Sequence, residues 1–110
     1  MTQLDLTFTP LVKPTAKPGS IQDKFLSFHE ANPHVYKNLV SMARKLKSKG
    51  IKKIGIGMLF ESLRWHYLLE TDDPESDYKL NNNYRSRYAR LIMSTERDLK
   101  DIFDIRELKA

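Results

Sequence analysis

Apolar side chains recur every three or four residues through most of the chain after Ser20. This spacing places them on one side of an α-helix, whereas a half-buried strand would alternate polar and apolar residues. The pattern predicts four helices and a fifth, shorter one, over about 21–32, 33–49, 56–70, 82–93 and 96–103. Together they indicate an all-α fold, a compact bundle of four to five helices joined by short loops.

Two of the predicted helix starts carry a capping-box pattern. Ser20 is followed three residues later by Asp23, and Thr95 is followed in the same way by Asp98. In such a pair the hydroxyl accepts a hydrogen bond from a backbone N–H of the first turn, and the carboxylate suits the positive end of the helix dipole. We therefore expect helices to begin after Ser20 and after Thr95.

Asparagine, proline and glycine indicate the other helix boundaries. Asn32 is a good N-cap, and Pro33 is a good first helical residue. Gly50 suits the end of the same helix, because glycine readily adopts the left-handed conformation that follows many helices. Asn81 or Asn82 is expected to cap the fourth helix.

The apolar side of each predicted helix should form the core. We assign Trp65, Leu68 and Leu69 to this core as well, because they widen the apolar face of the third helix. An exposed Trp65 would instead indicate a partner surface. The predicted core faces comprise Ile21, Phe25, Phe28, Val35, Tyr36, Leu39, Val40, Met42, Ala43, Leu46, Ile56, Leu59, Phe60, Leu63, Tyr67, Tyr84, Tyr88, Leu91, Ile92, Ile102, Phe103, Ile105 and Leu108.

The first 19 residues are predicted to be a flexible or extended arm, outside a single helical domain at 20–110. Pro10, Pro14 and Pro18 recur every four residues there. Proline removes backbone donors and fixes φ, so a helix is disfavoured. The apolar residues of the stretch LDLTF alternate with polar ones, so this segment could dock on the domain, but we favour a loosely tethered tail.

Composition limits the classes of protein that fit. The chain has 110 residues, 40% of them hydrophobic, which suits one globular domain. It has no cysteine, so disulfides, thiolate metal sites and a cysteine nucleophile are excluded. No apolar run approaches the roughly 20 residues of a membrane span, and we expect no secretory signal. The formal net charge is +5, which favours an anionic partner, nucleic acid first.

The second and third predicted helices form a helix-turn-helix-like pair. Two helices joined by a short turn that contains glycine are typical of one class of DNA-binding domain, although such pairs also occur elsewhere. Six basic residues lie between Arg44 and Lys53. Lysines at the turn would contact phosphates without reading sequence; alternatively, they complement the helix dipole at a solvated helix end. The predicted contact residues at the turn are Lys47, Lys49, Lys52 and Lys53.

The fourth helix opens with an unusual cluster of asparagine, arginine and tyrosine, KLNNNYRSRYARLI at 79–92. Helical spacing places its asparagines and arginines on one side and its tyrosines on the other. Arginine can bind guanine with two hydrogen bonds, and asparagine can bind adenine in the same way. A solvated helix face with a cap is the alternative. The predicted contact residues here are Asn82, Asn83, Arg85, Arg87 and Arg90.

No pattern in the chain indicates catalysis. The acidic stretch 70–77 could hold Mg²⁺, but it lacks the ligand spacing of a calcium loop, and a solvated loop is the favoured interpretation. The three histidines have no metal-ligand spacing, and no phosphate-binding loop or nucleophile motif is present. We therefore expect a protein that is not an enzyme, with no metal site and no cofactor. Glu61 and Arg64, three residues apart, are expected to form an ion pair within one helix.

Four segments, NPHVY at 32–36, LFESLRW at 59–65, KLNNNYRSRYARLI at 79–92 and IREL at 105–108, resemble a family of small proteins encoded by bacteriophages and prophages. The resemblance covers most of residues 25 to 108 and leaves out the proline-containing arm. It implies a protein that acts in the cytoplasm of an infected or lysogenic bacterium, without a membrane anchor. It implies no particular activity, since the family has no settled function.

Two functions from different classes remain open at this point. In the first, the protein binds double-stranded DNA as a phage regulator or DNA-associated accessory factor. In the second, it is a non-catalytic phage protein that inhibits or redirects a host protein, and the same basic surface meets an acidic partner. A homodimer would suit a regulator that reads a palindrome, but the sequence shows neither a heptad repeat nor an exposed apolar stripe.

Overall fold

A computed structural model of the protein describes residues 6, 11, 19–70 and 82–104. The predicted all-α fold is confirmed, since within this part of the chain there is no strand and only one isolated bridge. None of the helices described is both long and apolar enough to cross a membrane. The elements are helices α1 (Ile21–Ala31), α2 (Pro33–Ser48), α3 (Ile56–Glu70) and α4 (Arg85–Thr95), with 3₁₀ turns at Asn82–Tyr84 and Arg97–Leu99.

The start of α1 is the capping box predicted at Ser20. The Ser20 Oγ accepts a hydrogen bond from the backbone N–H of Asp23 at 3.1 Å, and the Asp23 carboxylate accepts one from the backbone N–H of Ser20 at 3.3 Å. Two backbone donors without a helical partner are thereby satisfied. Ile21, which we assigned to the inner face, is exposed instead, while Phe25 and Phe28 are buried as predicted.

Asn32 does not cap α2 with its side chain, contrary to our prediction. Its backbone N–H and its side-chain Nδ2 both donate to the carbonyl of Phe28, at 2.8 and 3.2 Å. Asn32 is also fully buried. It stands between the two helices: its donors end α1, its carbonyl accepts a hydrogen bond from the N–H of Val35 at 3.1 Å, and Pro33 follows as the predicted first residue of α2.

Gly50 ends α2 in the predicted way, with a positive φ of 92°. The N–H of Gly50 donates to the carbonyl of Lys47, and the N–H of Ile51 donates to the carbonyl of Leu46, which together form a Schellman motif. Beyond this turn, Ile54 forms a parallel bridge with Phe103. The connection between α2 and α3 is therefore fastened to the chain segment that follows α4.

The second predicted capping box, Thr95 with Asp98, is wrong. Thr95 is the last residue of α4, and the following 3₁₀ turn has no side-chain cap. The helix predicted at 96–103 is thus reduced to one turn, because the Asp98 carboxylate binds Arg44 of α2. Side-chain capping is also absent at the start of α4, where a 3₁₀ turn that includes Asn82 leads into the helix; Asn81 lies outside the described residues.

The core lies where α1, α3 and α4 meet on the inner side of α2. Tyr88 is at its centre, fully buried, with its ring centroid 4.7 Å from that of Phe25 and 5.9 Å from that of Phe60. Leu6 and Leu11 pack against this core and are partly buried. The rest of the predicted arm lies outside the described residues, as do Ile105 and Leu108.

Trp65 is 62% exposed, which corrects its assignment to the core. Leu68 and Leu69, assigned to the same face, are also exposed, at 50% and 62%, because the other helices do not cover that side of α3. The remaining predicted core residues of α3 are buried or half-buried. The predicted ion pair between Glu61 and Arg64 is present, with 2.5 Å between Oε1 and Nη1.

A half-buried histidine links α2 to α3. The Nδ1 atom of His34 lies 2.5 Å from the hydroxyl of Tyr67, which also accepts a hydrogen bond from Nδ2 of Asn38. The Tyr67 hydroxyl can then donate only to a neutral imidazole whose Nδ1 carries no proton. The remaining nitrogen, Nε2, is buried and has no hydrogen-bond partner in the described part of the chain. A protonated His34 can still donate from Nδ1 to the second lone pair of the Tyr67 hydroxyl. Its charge, however, would be partly desolvated, and its Nε2–H would have no acceptor in the described part of the chain.

We expect this arrangement to make the protein less stable in mild acid. Burial lowers the pKa of both His34 and His29 below their usual value of about 6.5. Because the unfolded chain takes up these protons first, stability is complete above about pH 6.5 and declines as the pH falls towards the lowered values. The urea midpoint should be lower at pH 5 than at pH 7.5, and His34→Gln should reduce the difference. Equal midpoints would contradict the expectation.

Candidate nucleic-acid interface

A surface groove lies where the turn after α2 meets the segment after α4. The bridge between Ile54 and Phe103 holds the two segments together. The groove has a volume of about 390 Å³, and we call it the turn groove. It is lined by Lys47, Gly50, Ile51, Lys52, Arg97, Asp98, Lys100, Asp101 and Ile102.

Two of the predicted contact lysines build the groove. The Nζ of Lys47 donates to the backbone carbonyl of Asp98. The Nζ of Lys53 donates to the carbonyl of Asp101 at 2.7 Å and lies 4.0 Å from the carboxylate of Asp104. Both lysines therefore help to hold the segment after α4 against the turn.

Arg44, one of the six basic residues near the turn, binds carboxylates rather than solvent. Its guanidinium donates to both oxygens of Asp98, at 2.9 and 3.1 Å, and to Glu96 at 2.7 Å. These hydrogen bonds lower the pKa of Asp98, which stays ionised at neutral pH. Tyr36 completes the cluster by donating to Glu96 at 2.7 Å, and burial together with this hydrogen bond raises the pKa of Tyr36 to about 12.

Four positively charged side chains around the groove take no part in holding the described part of the protein together, and we call them the uncommitted cations. Lys49 and Lys52 come from the turn, and Arg97 and Lys100 come from the segment after α4; all four are exposed. Their side chains form no hydrogen bond or ion pair with any residue that the structure describes. The groove lining holds the cations Lys47, Lys52, Arg97 and Lys100 against the carboxylates of Asp98 and Asp101, so it presents an excess of positive charge to solvent.

Arg97 and Lys100 were not among the residues predicted from the sequence. They lie about 50 positions after the turn, and tertiary contacts, the bridge together with the lysine and arginine hydrogen bonds, bring them beside Lys52. The sequence does contain one signal, which is the density of charge in the stretch ERDLKD directly after a helix.

The polar and aromatic residues of the stretch 82–92 lie on the two sides that helical spacing predicts. Tyr84 and Tyr88 are buried, and Asn83 and Arg90 are exposed. Arg87 is half-buried, and its Nε donates to the side chain of Gln22 in α1 at 3.1 Å. This contact occupies one edge of the Arg87 guanidinium.

Arg85 connects the two predicted clusters. A Cβ atom built on Gly57 would lie 3.1 Å from Nη1 of Arg85, so the guanidinium rests against the first turn of α3. Gly57 follows Lys53 by four residues, so Arg85 contacts the helix that begins directly after the connection carrying the turn lysines. Of Asn82, the structure describes only the backbone, in the 3₁₀ turn.

Within the described residues, no group of three or more histidine or acidic side chains is arranged to hold a metal ion. The acidic stretch considered for Mg²⁺ falls outside them, except for the backbone of Glu70.

Comparison of the chain with protein-family models, with curated proteins and with solved structures gives no match in any of the three. The resemblance to phage-encoded proteins accordingly stays a prediction. A functional proposal therefore has to be built on the turn groove and on the face of α4.

Proposed function

We propose that this protein binds double-stranded DNA through the turn groove, as a small phage regulator or DNA-associated accessory factor in the host bacterial cytoplasm. The observation that carries the proposal is a set of four uncommitted cations at one groove. Lys52, Arg97 and Lys100 line it, and the exposed Lys49 directly precedes the lining residue Gly50. They come from two chain segments that are locked together by Lys47 and Lys53.

Such an arrangement suits the phosphate backbone of a duplex. Phosphates lie along each strand at a regular spacing, and cations on both sides of a groove can meet several of them at once while counterions are released. Contacts of this kind supply affinity without sequence information. Sequence preference would come from Arg90 of α4 and from Asn83 in the 3₁₀ turn before it, since both are exposed and their side-chain types can bond base edges.

The alternative function, binding of an acidic host protein, would use the same cations. It has no separate structural observation in its favour, because both kinds of partner present anions to the turn groove. The complexes formed with the two kinds of partner differ in stoichiometry and in their response to nuclease, which destroys a DNA partner and leaves a protein partner intact.

The direct test is to titrate the protein into a labelled duplex of random sequence at several salt concentrations. We expect the logarithm of the affinity to fall linearly with the logarithm of salt, by about 0.9 for each phosphate contact, which gives a slope near −3 to −4 for four cations. An otherwise identical duplex with a neutral backbone is the control. If duplex DNA does not bind at low salt, and a pull-down from infected cells yields one host protein despite nuclease treatment, the alternative is correct.

A further inference from the structure

One side of α3 exposes large apolar side chains along most of its length. Met58 is 58% exposed, Trp65 62%, Leu68 50% and Leu69 62%. The opposite side of the same helix, with Leu59, Phe60, Leu63 and Tyr67, is buried in the core. We call Met58, Glu61, Trp65, Leu68 and Leu69 the α3 stripe. Contiguous exposed apolar surface of this kind usually marks an interaction site.

The spacing within the α3 stripe is that of a helix-packing seam. Positions 58, 61, 65 and 68 follow one another at intervals of three, four and three residues, which is the repeat that lets two helices pack along their length. The sequence alone did not show this seam, because the buried residues of α3 are apolar too and hide the period.

Four of the five members of the α3 stripe are arranged symmetrically about the level of Leu63; Leu69 has Gly57 at the matching position. Met58 and Leu68 lie five residues on either side of it, and Glu61 and Trp65 lie two residues on either side. If two copies of α3 pack antiparallel about a two-fold axis at this level, Met58 faces Leu68 of the other copy at both ends, and Trp65 faces Glu61. A two-fold contact requires a surface that is complementary to itself in this way.

Charge permits the approach of two copies at this face although the chain carries +5. Glu61 and Arg64, the only acidic, lysine or arginine side chains of α3 that the structure describes, neutralise one another at 2.5 Å. The uncommitted cations surround the turn groove, before α3 and after α4. An acidic partner would be drawn to that groove rather than to the neutral α3 stripe.

From these observations we infer that the α3 stripe is a homodimer interface, formed by two antiparallel copies of α3 about a two-fold axis at Leu63. Four large side chains on one helix offer a few hundred Å² of apolar surface, less than the roughly 800 Å² per partner of a standard stable interface. The dimer is therefore weak and concentration-dependent. This inference does not depend on DNA binding.

Cysteine cross-linking tests whether the two α3 helices of the dimer are antiparallel. No native thiol competes for the cross-linker, because the chain has no cysteine of its own. Met58→Cys and Leu68→Cys are prepared separately, one with an affinity tag, and treated with a short thiol cross-linker alone and as a mixture. We expect strong cross-linking only in the mixture. Within each single variant the two thiols lie at opposite ends of the paired helices, on the order of 15 Å apart at 1.5 Å per residue. Strong cross-linking of Met58→Cys with itself would mean parallel helices and would overturn the inference.

Mass measurements test the dimer in the unmodified chain. Sedimentation from about 5 to 500 μM, a range that brackets the micromolar association expected of a small interface, should show a mass that rises from 12.9 kDa towards twice that value. Emission of Trp65, the chain's single tryptophan, should shift to shorter wavelength over the same range. Leu68→Glu should remain monomeric. Leu26→Glu, at an equally exposed leucine of α1, should dimerise like the parent.

Circular dichroism of each variant shows whether its helices are intact, so that a lost dimer is distinguished from a lost fold. A parent chain that stays monomeric over the whole range overturns the inference, as does Leu26→Glu losing the dimer together with Leu68→Glu. Capture of a bacterial protein through the α3 stripe by a monomeric parent would overturn it equally.

Discussion

Replacing Tyr88 with alanine is expected to destabilise the fold by about 3–5 kcal/mol. The Tyr88 ring is fully buried and lies at the centre of an aromatic cluster, edge-on to Phe25 with 4.7 Å between ring centroids and also near Phe28 and Phe60. Alanine would leave a cavity that rings from two other helices cannot fill without moving. The midpoint of urea unfolding should fall accordingly, and a loss this large would leave little of the stability of an ordinary small domain.

Arg87→Ala is the matched control for Tyr88→Ala, because the two residues are neighbours on α4 but lie on opposite sides of it. Arg87 is half-buried at the surface, where its guanidinium donates to the Gln22 side chain of α1 at 3.1 Å and to the carbonyl of Asn83 at 3.5 Å. Exposed substitutions usually change stability by no more than about 0.5 kcal/mol. If Arg87→Ala unfolds as readily as Tyr88→Ala, the polar face of α4 is structural and its proposed part in binding is wrong.

Helix positions could be read from the sequence where the determining signals are local. The capping box of Ser20 and Asp23 and the positive φ of Gly50 depend on a few neighbouring residues, and both were predicted. Thr95 and Asp98 carry the same local pattern as Ser20 and Asp23, yet no cap forms. A guanidinium from α2 competes for the Asp98 carboxylate there, and no local pattern reveals a partner 54 residues away.

The width of a covered helix face could not be predicted either. Periodicity shows which residues of α3 share a side, but the number that become buried depends on how much surface the other helices cover. Tyr67 lies on the covered side, whereas Trp65, Leu68 and Leu69 lie beyond it. An apolar residue next to a core face is therefore ambiguous until the packing partners are known.

Only the half of the candidate site that comes from the turn after α2 could be predicted from the sequence. Lys49 and Lys52 are close together in the sequence, and their basic character alone indicated a phosphate surface. Arg97 and Lys100 complete the turn groove because Ile54 bridges to Phe103, a contact between residues nearly 50 positions apart. Conversely, Lys47 and Lys53 looked identical to their neighbours in the sequence, although they bond the backbone of the segment after α4.

This difference decides which substitutions test DNA binding. Removing Lys47 or Lys53 would disturb the groove itself, so a loss of affinity would have two explanations. Removing the four uncommitted cations leaves those tethers, the Arg44 cluster and the core in place. The informative variant therefore combines Lys49→Ala, Lys52→Ala, Arg97→Ala and Lys100→Ala.

We expect this fourfold variant to bind every duplex more weakly, whatever the sequence. Its dissociation constant should rise above the range of about 10⁻⁴ to 10⁻⁶ M that is typical of non-specific binding at physiological salt. If each cation meets one phosphate, the salt dependence should flatten by about 0.9 per contact, or nearly four units of slope in all. Stability should change little, because no described residue depends on these side chains. Urea unfolding of the variant checks that the fold is retained.

Matched charge is the remaining control, since any loss of positive charge weakens attraction to DNA over a distance. Lys52→Ala with Lys100→Ala removes two charges from the turn groove, and Lys24→Ala with Lys37→Ala removes two from exposed positions on α1 and α2. The groove pair should flatten the salt dependence by nearly two units, whereas the control pair should lower affinity slightly and leave the slope almost unchanged. Equal effects would mean that DNA responds to net charge alone, and the turn groove would then not be its binding site.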